Sequence, residues 1–364
     1  MSSPVPNNSS TRGVVRGVLL VGAFALTFVA MTLFLRGWLP VGERALLRGK
    51  LAAFEEQDQS DPFDVVFIGS SRIYHGLIPE LFDQRMEQRG HPTHSFNLGI
   101  TGLRVDGAWG TLRSLAARKP TGLRYVLIDP EDVRLMLTQS PRSMRGSIYL
   151  HDPVSSRLLL TYLWNSDVEL EQKRVITFNI VEACALDAFN VGRGLQWVRP
   201  LLGEAVSEED LAFRIGLRAD GWRSKDRLPK KRSAEKHRKF IADPAGWQAK
   251  VNKLKGGGAN SESLRDSALP LLTRLETLVR ELGGEPIFIS SPSSTGSEQL
   301  ELAQAAGHIT TLFQFSDPAR FPELFTVESR WEAAHLSEAG AVDFSNLLAD
   351  RLADWIEAQG DDEQ

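Results

Sequence analysis

The chain has 364 residues, with 42 Lys and Arg against 46 Asp and Glu and a net charge of -4, so no overall positive field draws it to nucleic acid. That length accommodates one large domain with an insertion, or two small ones. The single cysteine, Cys184, excludes an intramolecular disulfide and a cysteine metal cluster and leaves the redox compartment open. The histidines are scattered and form no i, i+4 pair, so neither a metal nor another cofactor is expected.

Residues 1–13, rich in Ser, Asn and Pro, are expected to be disordered. From Gly17 to Leu35 no residue is charged, and about 20 apolar residues are enough to cross a bilayer. A transmembrane anchor over 14–38 is therefore expected, with Trp38 as an interfacial aromatic. A secretory signal is the competing interpretation. Its apolar core usually runs about 7 to 15 residues, and Arg36-Gly37-Trp38-Leu39-Pro40 offers no small-x-small cleavage site. Arg12 and Arg16 precede the span, while Arg36, Arg44, Arg48 and Lys50 follow it. Counting basic residues alone puts the body in the cytoplasm, although long domains translocate largely regardless of flanking charge. Residues 39–62 are expected to form a juxtamembrane stalk, helical over 41–59, with Leu46, Leu47, Leu51 and Phe54 on one side.

The body, residues 63–358, opens with Val65-Val66-Phe67-Ile68 followed by Gly69-Ser70-Ser71. A β-branched apolar run that stops at Gly-Ser-Ser before a helical pattern is a buried strand ending in a tight turn. Helix over 77–89, strand over 93–96, helix over 105–118 and strand over 123–128 follow. Strand and helix alternating at this spacing predict a parallel sheet with right-handed crossovers. About 139–260 the alternation lapses into a mainly helical insertion, with helices near 158–164, 175–189 and 195–202 and a flexible exit at Gly256-Gly257-Gly258. Its basic run, from Lys225 through Lys230-Lys231-Arg232 to Lys239, is expected to be a solvated face, with anionic lipid or polysaccharide contact as the sharper alternative. Helix over 263–282, strand over 286–290, helix over 298–306 and strand over 309–315 resume the rhythm. A last helix over 337–358 has Ser337 as N-cap but Gly340 where a capping box would have Glu, and residues 359–364 are a frayed tail. The expected fold is an α/β class, three-layer α/β/α sandwich with about five parallel strands and a helical insertion.

In such folds ligands bind at the carboxyl edge of the sheet, where Ser70 and Ser71 are placed. Either hydroxyl equally serves as an N-cap. As a nucleophile, a serine needs a base to take its proton and a third group to fix that base. His335 supplies a base, unless it is simply a surface residue ahead of the last helix. Glu332, three residues earlier, supplies the third group. The N–H groups of Ser71 and Gly99, at the ends of neighbouring strands, are candidate oxyanion donors. His75 is a neighbour of the cleft, Asp106, Asp129 and Asp132 are caps or pocket walls, and Ser70, Arg72 and Asn97 are further candidates for the pocket.

Three segments together resemble the SGNH/GDSL hydrolase superfamily, in particular its membrane-anchored acyltransferase-like members. Phe67-Ile68-Gly69-Ser70-Ser71-Arg72 looks like the first block, with Ser71 as nucleophile and Ser70 where Asp is usual. Asn97-Leu98-Gly99-Ile100-Thr101-Gly102 is similar to the second, whose Gly gives an oxyanion N–H. Glu332-Ala333-Ala334-His335-Leu336 resembles the last, normally Asp-x-x-His. The third block, Gly-x-Asn-Asp, is absent; that strand end reads Ile128-Asp129-Pro130-Glu131-Asp132, and an ionised Asp cannot donate as Asn does. The resemblance implies serine esterase or O-acyltransferase chemistry without a cofactor, on a cell-envelope polysaccharide or other acylated surface substrate. It also implies an extracytoplasmic body and a multi-pass membrane acyltransferase partner. A catalytically inactive binding or assembly protein of the envelope is the competing expectation, and a thioesterase or lipase acting on membrane lipid is a third.

Overall fold

Five short apolar runs form one parallel sheet in the computed structural model, which describes residues 8–38, 45–130, 133, 152–166, 168–189, 220–227, 231–255, 269–292 and 298–361. The strands are β1 (Val65–Gly69), β2 (Ser95–Asn97), β3 (Tyr125–Asp129), β4 (Glu285–Ser290) and β5 (Leu312–Gln314), in the spatial order β2-β1-β3-β4-β5. All four pairings are parallel, and the β1–β3 register places Gly69 beside Asp129. Strand order reverses at β1, whose chain continues to β2 on one side while β3 lies on the other. A crevice opens at the carboxyl ends of such a pair.

The apolar run of β1 is unbroken because both faces of the sheet are covered. Val66 and Ile68 face one buried cluster, Val65 and Phe67 the other. The first cluster is closed by α2 (Ala45–Asp58) and α5 (Val105–Ala116), and by α6 (Pro153–Asn165) and α7 (Leu170–Ala188) of the insertion. The second is closed by α3 (Ser71–Gly76), α4 (Pro79–Gln88), α8 (Lys231–Ile241) and α9 (Pro244–Lys255). Of the last three helices, α10 (Leu269–Glu281) and α11 (Glu298–Ala305) return to the first face and α12 (Glu338–Asp361) to the second. Among the described residues, 152–255 contain helices and irregular chain but no strand. The expected helix at 195–202 and the glycine exit lie outside the described residues.

The N-terminal helix α1 (Asn8–Trp38) contains a 23-residue stretch, Gly13–Leu35, long and apolar enough to cross a membrane, and its side chains are almost all exposed. It begins at Asn8, inside the segment expected to be disordered, and α12 runs to Asp361, into the expected tail. The described side chains of α1 stop at Leu35, so an interfacial role for Trp38 lies outside the described residues.

One local feature was not legible in the periodicity. A small antiparallel hairpin, β6 (Arg330–Glu332) with β7 (His335–Leu336), precedes α12. Ser337 does cap α12, accepting from the Gly340 N–H at 3.2 Å. Gly340 replaces a capping glutamate because a Cβ there would sit 2.1 Å from the Ser329 carbonyl oxygen.

Helix α2 is built into the domain, with Leu47, Leu51 and Phe54 fully buried. The Phe54 ring packs at 5.1 Å on Phe63 and 5.4 Å on Phe96. Phe54→Ala is expected to cost about 3–5 kcal/mol, as for a large core truncation. A free stalk would lose under about 0.5 kcal/mol. Urea unfolding of the full chain in detergent, followed by tryptophan fluorescence, separates the two.

Candidate functional site

The turn after β1 is set by packing. A Cβ on Gly69 would lie 2.4 Å from Ile73 Cγ1 and 3.1 Å from the Asp129 carbonyl oxygen, so only glycine lets α3 fold back onto the strand. The two serines then diverge. Ser70 is buried, and its Oγ accepts from the Arg72 N–H at 3.2 Å as the N-cap of α3. Ser71, the first residue of α3, is half-buried and turns its hydroxyl toward His335.

Ser71 Oγ is 2.7 Å from His335 Nε2, and His335 Nδ1 is 2.5 Å from Glu332 Oε1. A carboxylate only accepts, so Nδ1 carries the proton and donates to Glu332. Nε2 is then the acceptor for the Ser71 hydroxyl. The β6–β7 hairpin holds Glu332 opposite His335. Lys225 Nζ, 3.2 Å from the same Glu332 oxygen, completes the line. The bond from His335, outweighing burial and joined by the Lys225 charge, pulls the Glu332 carboxyl down to about 2. Burial lowers the His335 pKa below 6.5, against the upward pull of Glu332 and with Lys225 and Arg72 adding to the fall. The imidazole is therefore neutral at neutral pH, as a base must be.

Lys225 reaches Glu332 because the insertion returns across the site as a strap, residues 220–227. The Asn97 N–H donates to the Asp220 carbonyl at 2.9 Å, and Trp222 Nε1 donates to the His75 carbonyl at 3.1 Å. At the far end the Glu338 N–H donates to Asp226 Oδ2 at 3.0 Å. Gly221, at φ +84°, makes the approach feasible, since a Cβ there would fall 2.1 Å from the Asn97 carbonyl oxygen. The expectation of a solvated basic face therefore needs correcting at Lys225, a largely buried ion-pair partner. Residues 228–230 of the run lie outside the described residues.

His75 stands beside the triad, its ring 6.2 Å from that of His335. Its Nδ1–H donates to the Arg223 carbonyl at 2.8 Å, and burial pushes its pKa down to about 3. It is a neutral wall of the cleft.

Asn97 and Gly99 stand differently from expectation. Asn97 is buried, with Nδ2 donating to the Ile73 and Leu77 carbonyls, each at 2.8 Å. The Gly99 N–H donates to Asn97 Oδ1 at 2.8 Å, so the expected oxyanion donor is engaged within its own loop. The carbonyls of Asn97 and Gly99 accept from Lys50 Nζ at 2.9 and 2.6 Å, and that ammonium also lies 3.9 Å above the Tyr74 ring. At the third strand end, Asp129 is buried and accepts from Ser291 Oγ at 2.5 Å. Asp106 lies buried in α5, and Asp132 is outside the described residues.

Lys50, Lys225 and Ser291 carried no motif. A lysine inside the apolar stripe of 41–59 was the only visible signal, because it breaks the apolar face of an amphipathic helix. Among the described residues no group of three His, Cys, Asp or Glu side chains is placed to hold a metal. No family model matches the chain, and no curated protein matches it either. The fold and site define an α/β protein with a hydrogen-bonded Ser–His–Glu chain at the carboxyl edge of a five-stranded parallel sheet.

Burial lowers the Lys50 pKa well below 10.5. The folded protein thus releases this proton at lower pH than the unfolded chain does. Stability is expected to rise with pH between the folded value and about 10.4. Lys50→Met should remove that rise and, by stranding two carbonyls, cost about 1–3 kcal/mol near neutrality. Urea midpoints of both proteins at pH 7.5 and 9.5 test this.

Proposed function

We propose that this chain is a membrane-anchored serine esterase or O-acyltransferase of the SGNH type. The observation that carries the proposal is the unbroken line from Ser71 Oγ through His335 to Glu332, at 2.7 and 2.5 Å with the tautomer a base requires. Ser71 Oγ attacks the acyl carbonyl while its proton passes to His335 Nε2. The imidazolium is stabilised by Glu332 and returns the proton to the departing alkoxide. The alcohol leaves, and Ser71 stays acylated. Water or an acceptor hydroxyl then gives its proton to His335 and takes the acyl group, restoring Ser71.

The Ser71 N–H heads α3, where first-turn N–H groups have no intrahelical acceptor, and it is the oxyanion donor in this scheme. One missing donor costs about 10²–10³ in rate, so turnover is slow on a simple ester. The apolar helix α1 suits a tether beside an envelope substrate, with a polysaccharide as acceptor and an extracytoplasmic body. That placement and the multi-pass acyltransferase partner rest on the family resemblance, and the basic residues after the span weigh against it.

Two observations favour a second possibility, a binding or assembly protein of the same fold. They are the engaged Gly99 N–H and the Asp129 carboxylate where the family has a donor. Aryl acetate hydrolysis by the full chain in detergent decides between the two. Ser71→Ala and His335→Ala are each expected to lower kcat/KM by at least about 10³-fold. A folded parent protein that neither hydrolyses the ester nor takes a fluorophosphonate on Ser71 would establish the non-catalytic alternative.

The pH profile has a defined direction. The base must be neutral, and its pKa lies below 6.5, so kcat/KM should be lost only as pH falls below that value. Lys225→Met removes a cation that depresses His335, and the acid limb should then move to higher pH. An unmoved limb would place the titration elsewhere.

A further inference from the structure

Arg330, on β6, is 1% exposed, and no carboxylate pairs with it among the described residues. Its Nη1 donates to the Pro292 carbonyl at 3.2 Å, just beyond the end of β4, and its guanidinium lies 4.6 Å from the Phe325 ring centre and 5.3 Å from that of Trp247. Nε and Nη2 are both buried without a hydrogen-bond partner. These two donors share one edge of the guanidinium, the edge that meets a carboxylate two-pronged. The same protein shows that edge filled elsewhere, where Arg85 Nε and Nη2 reach the two oxygens of Asp350 at 2.8 and 3.0 Å.

A buried cation with three of its five N–H donors unmet is unfavourable, and an apolar side chain between Trp247 and Phe325 would avoid that penalty. The penalty is compounded by a second cation. Burial first, and then the Arg72 charge, bring the Arg330 pKa down to about 9, so it is still protonated at neutral pH. Arg72 follows the nucleophile directly and is close enough to depress His335 as well. Pro292 adjoins Ser291, which bonds Asp129 at the end of β3. Arg330 therefore stands at the β3–β4 side of the carboxyl edge, across from the β2 side that Lys50 and the strap close.

We propose that the buried, unpaired edge of Arg330, reinforced by the Arg72 charge, is a carboxylate-binding subsite on the Ser71 edge of the sheet, so that the substrate is acidic. The carboxylate belongs either to the acyl group, as in a hemisuccinyl ester, or to the acylated acceptor, as in a uronic acid. The assignment of a substrate rests on the acyl-transfer function proposed above; the anion site itself does not.

The test is binding and turnover by the full chain in a neutral detergent. Isothermal titration with succinate and with glucuronate is expected to show saturable binding to the parent protein and to Ser71→Ala. Binding should be at least about tenfold weaker in Arg330→Gln, which loses the two-pronged contact. Arg330→Lys keeps the charge but not the fork, should weaken binding similarly, and decides the matter if the glutamine variant does not fold. In turnover, the ratio of kcat/KM for 4-nitrophenyl hemisuccinate over 4-nitrophenyl acetate should fall about 10- to 100-fold in the Arg330 variants if the acyl group carries the carboxylate. The corresponding ratio for O-acetylated glucuronic acid over O-acetylated glucose should fall instead if the acceptor does. No binding by the parent protein, equal binding by the Arg330 variants, or equally tight binding of inorganic phosphate would overturn the carboxylate assignment. Arg330-dependent binding without any ester turnover would keep the subsite and remove the proposed function.

Discussion

One close approach organises the site: Gly69 lies against Ile73 on one side and the Asp129 carbonyl on the other. Without a Cβ at this position the chain leaves β1 and enters α3 within two residues. That sharp reversal buries Ser70 as the cap and leaves Ser71 as the first side chain on the open edge of the sheet. Because β1 sits where the strand order reverses, the same turn also borders a crevice between helices of opposite faces. Position and exposure of the Ser71 hydroxyl thus follow from backbone packing, before His335 or Glu332 is considered.

The remaining groups arrive from three distant stretches. The β6–β7 hairpin carries Glu332 and His335 in mutual register, the strap at 220–227 carries Lys225, and α2 carries Lys50. The hairpin and the strap are secured by backbone hydrogen bonds and close glycine contacts, and α2 by the burial of Leu47, Leu51 and Phe54. Asn97 ties the second strand end to α3 through two carbonyls and holds Gly99 through its own amide oxygen. A hydrogen-bonded core of this kind positions the edge loops more rigidly than apolar packing alone, since every buried polar group constrains a direction as well as a distance.

Charge within this edge is uneven. Glu332 closes the Ser–His–Glu chain, and Asp129 is held by Ser291, while Lys225, Arg72 and Arg330 are cationic. Burial, helped by the Lys225 and Arg72 charges, keeps His335 neutral, which suits a base, and the local surplus of cations makes an anionic ligand a favourable occupant. A protein with a net charge of -4 therefore concentrates its opposite sign where the Ser–His–Glu chain lies, a local arrangement that no whole-chain value reveals.

The sequence by itself determined the alternation of strands and helices, the apolar N-terminal helix, and the grouping of the Ser70-Ser71 pair with His335 and Glu332 as one chemical set. These depend on periodicity, on Gly and Ser punctuation, and on the i, i+3 spacing of Glu and His, all of which are local. Only the tertiary structure decided which serine faces the histidine, because Ser70 and Ser71 are chemically equivalent until the turn orients them. It also decided that the Gly99 N–H is engaged by Asn97, that Lys225 leaves a basic run to pair with Glu332, and that Arg330 is buried with one edge unpaired. Those outcomes depend on contacts between residues from about forty to more than two hundred and fifty positions apart, or on competition among neighbouring hydrogen-bond partners. Neither leaves a period or a motif in the chain.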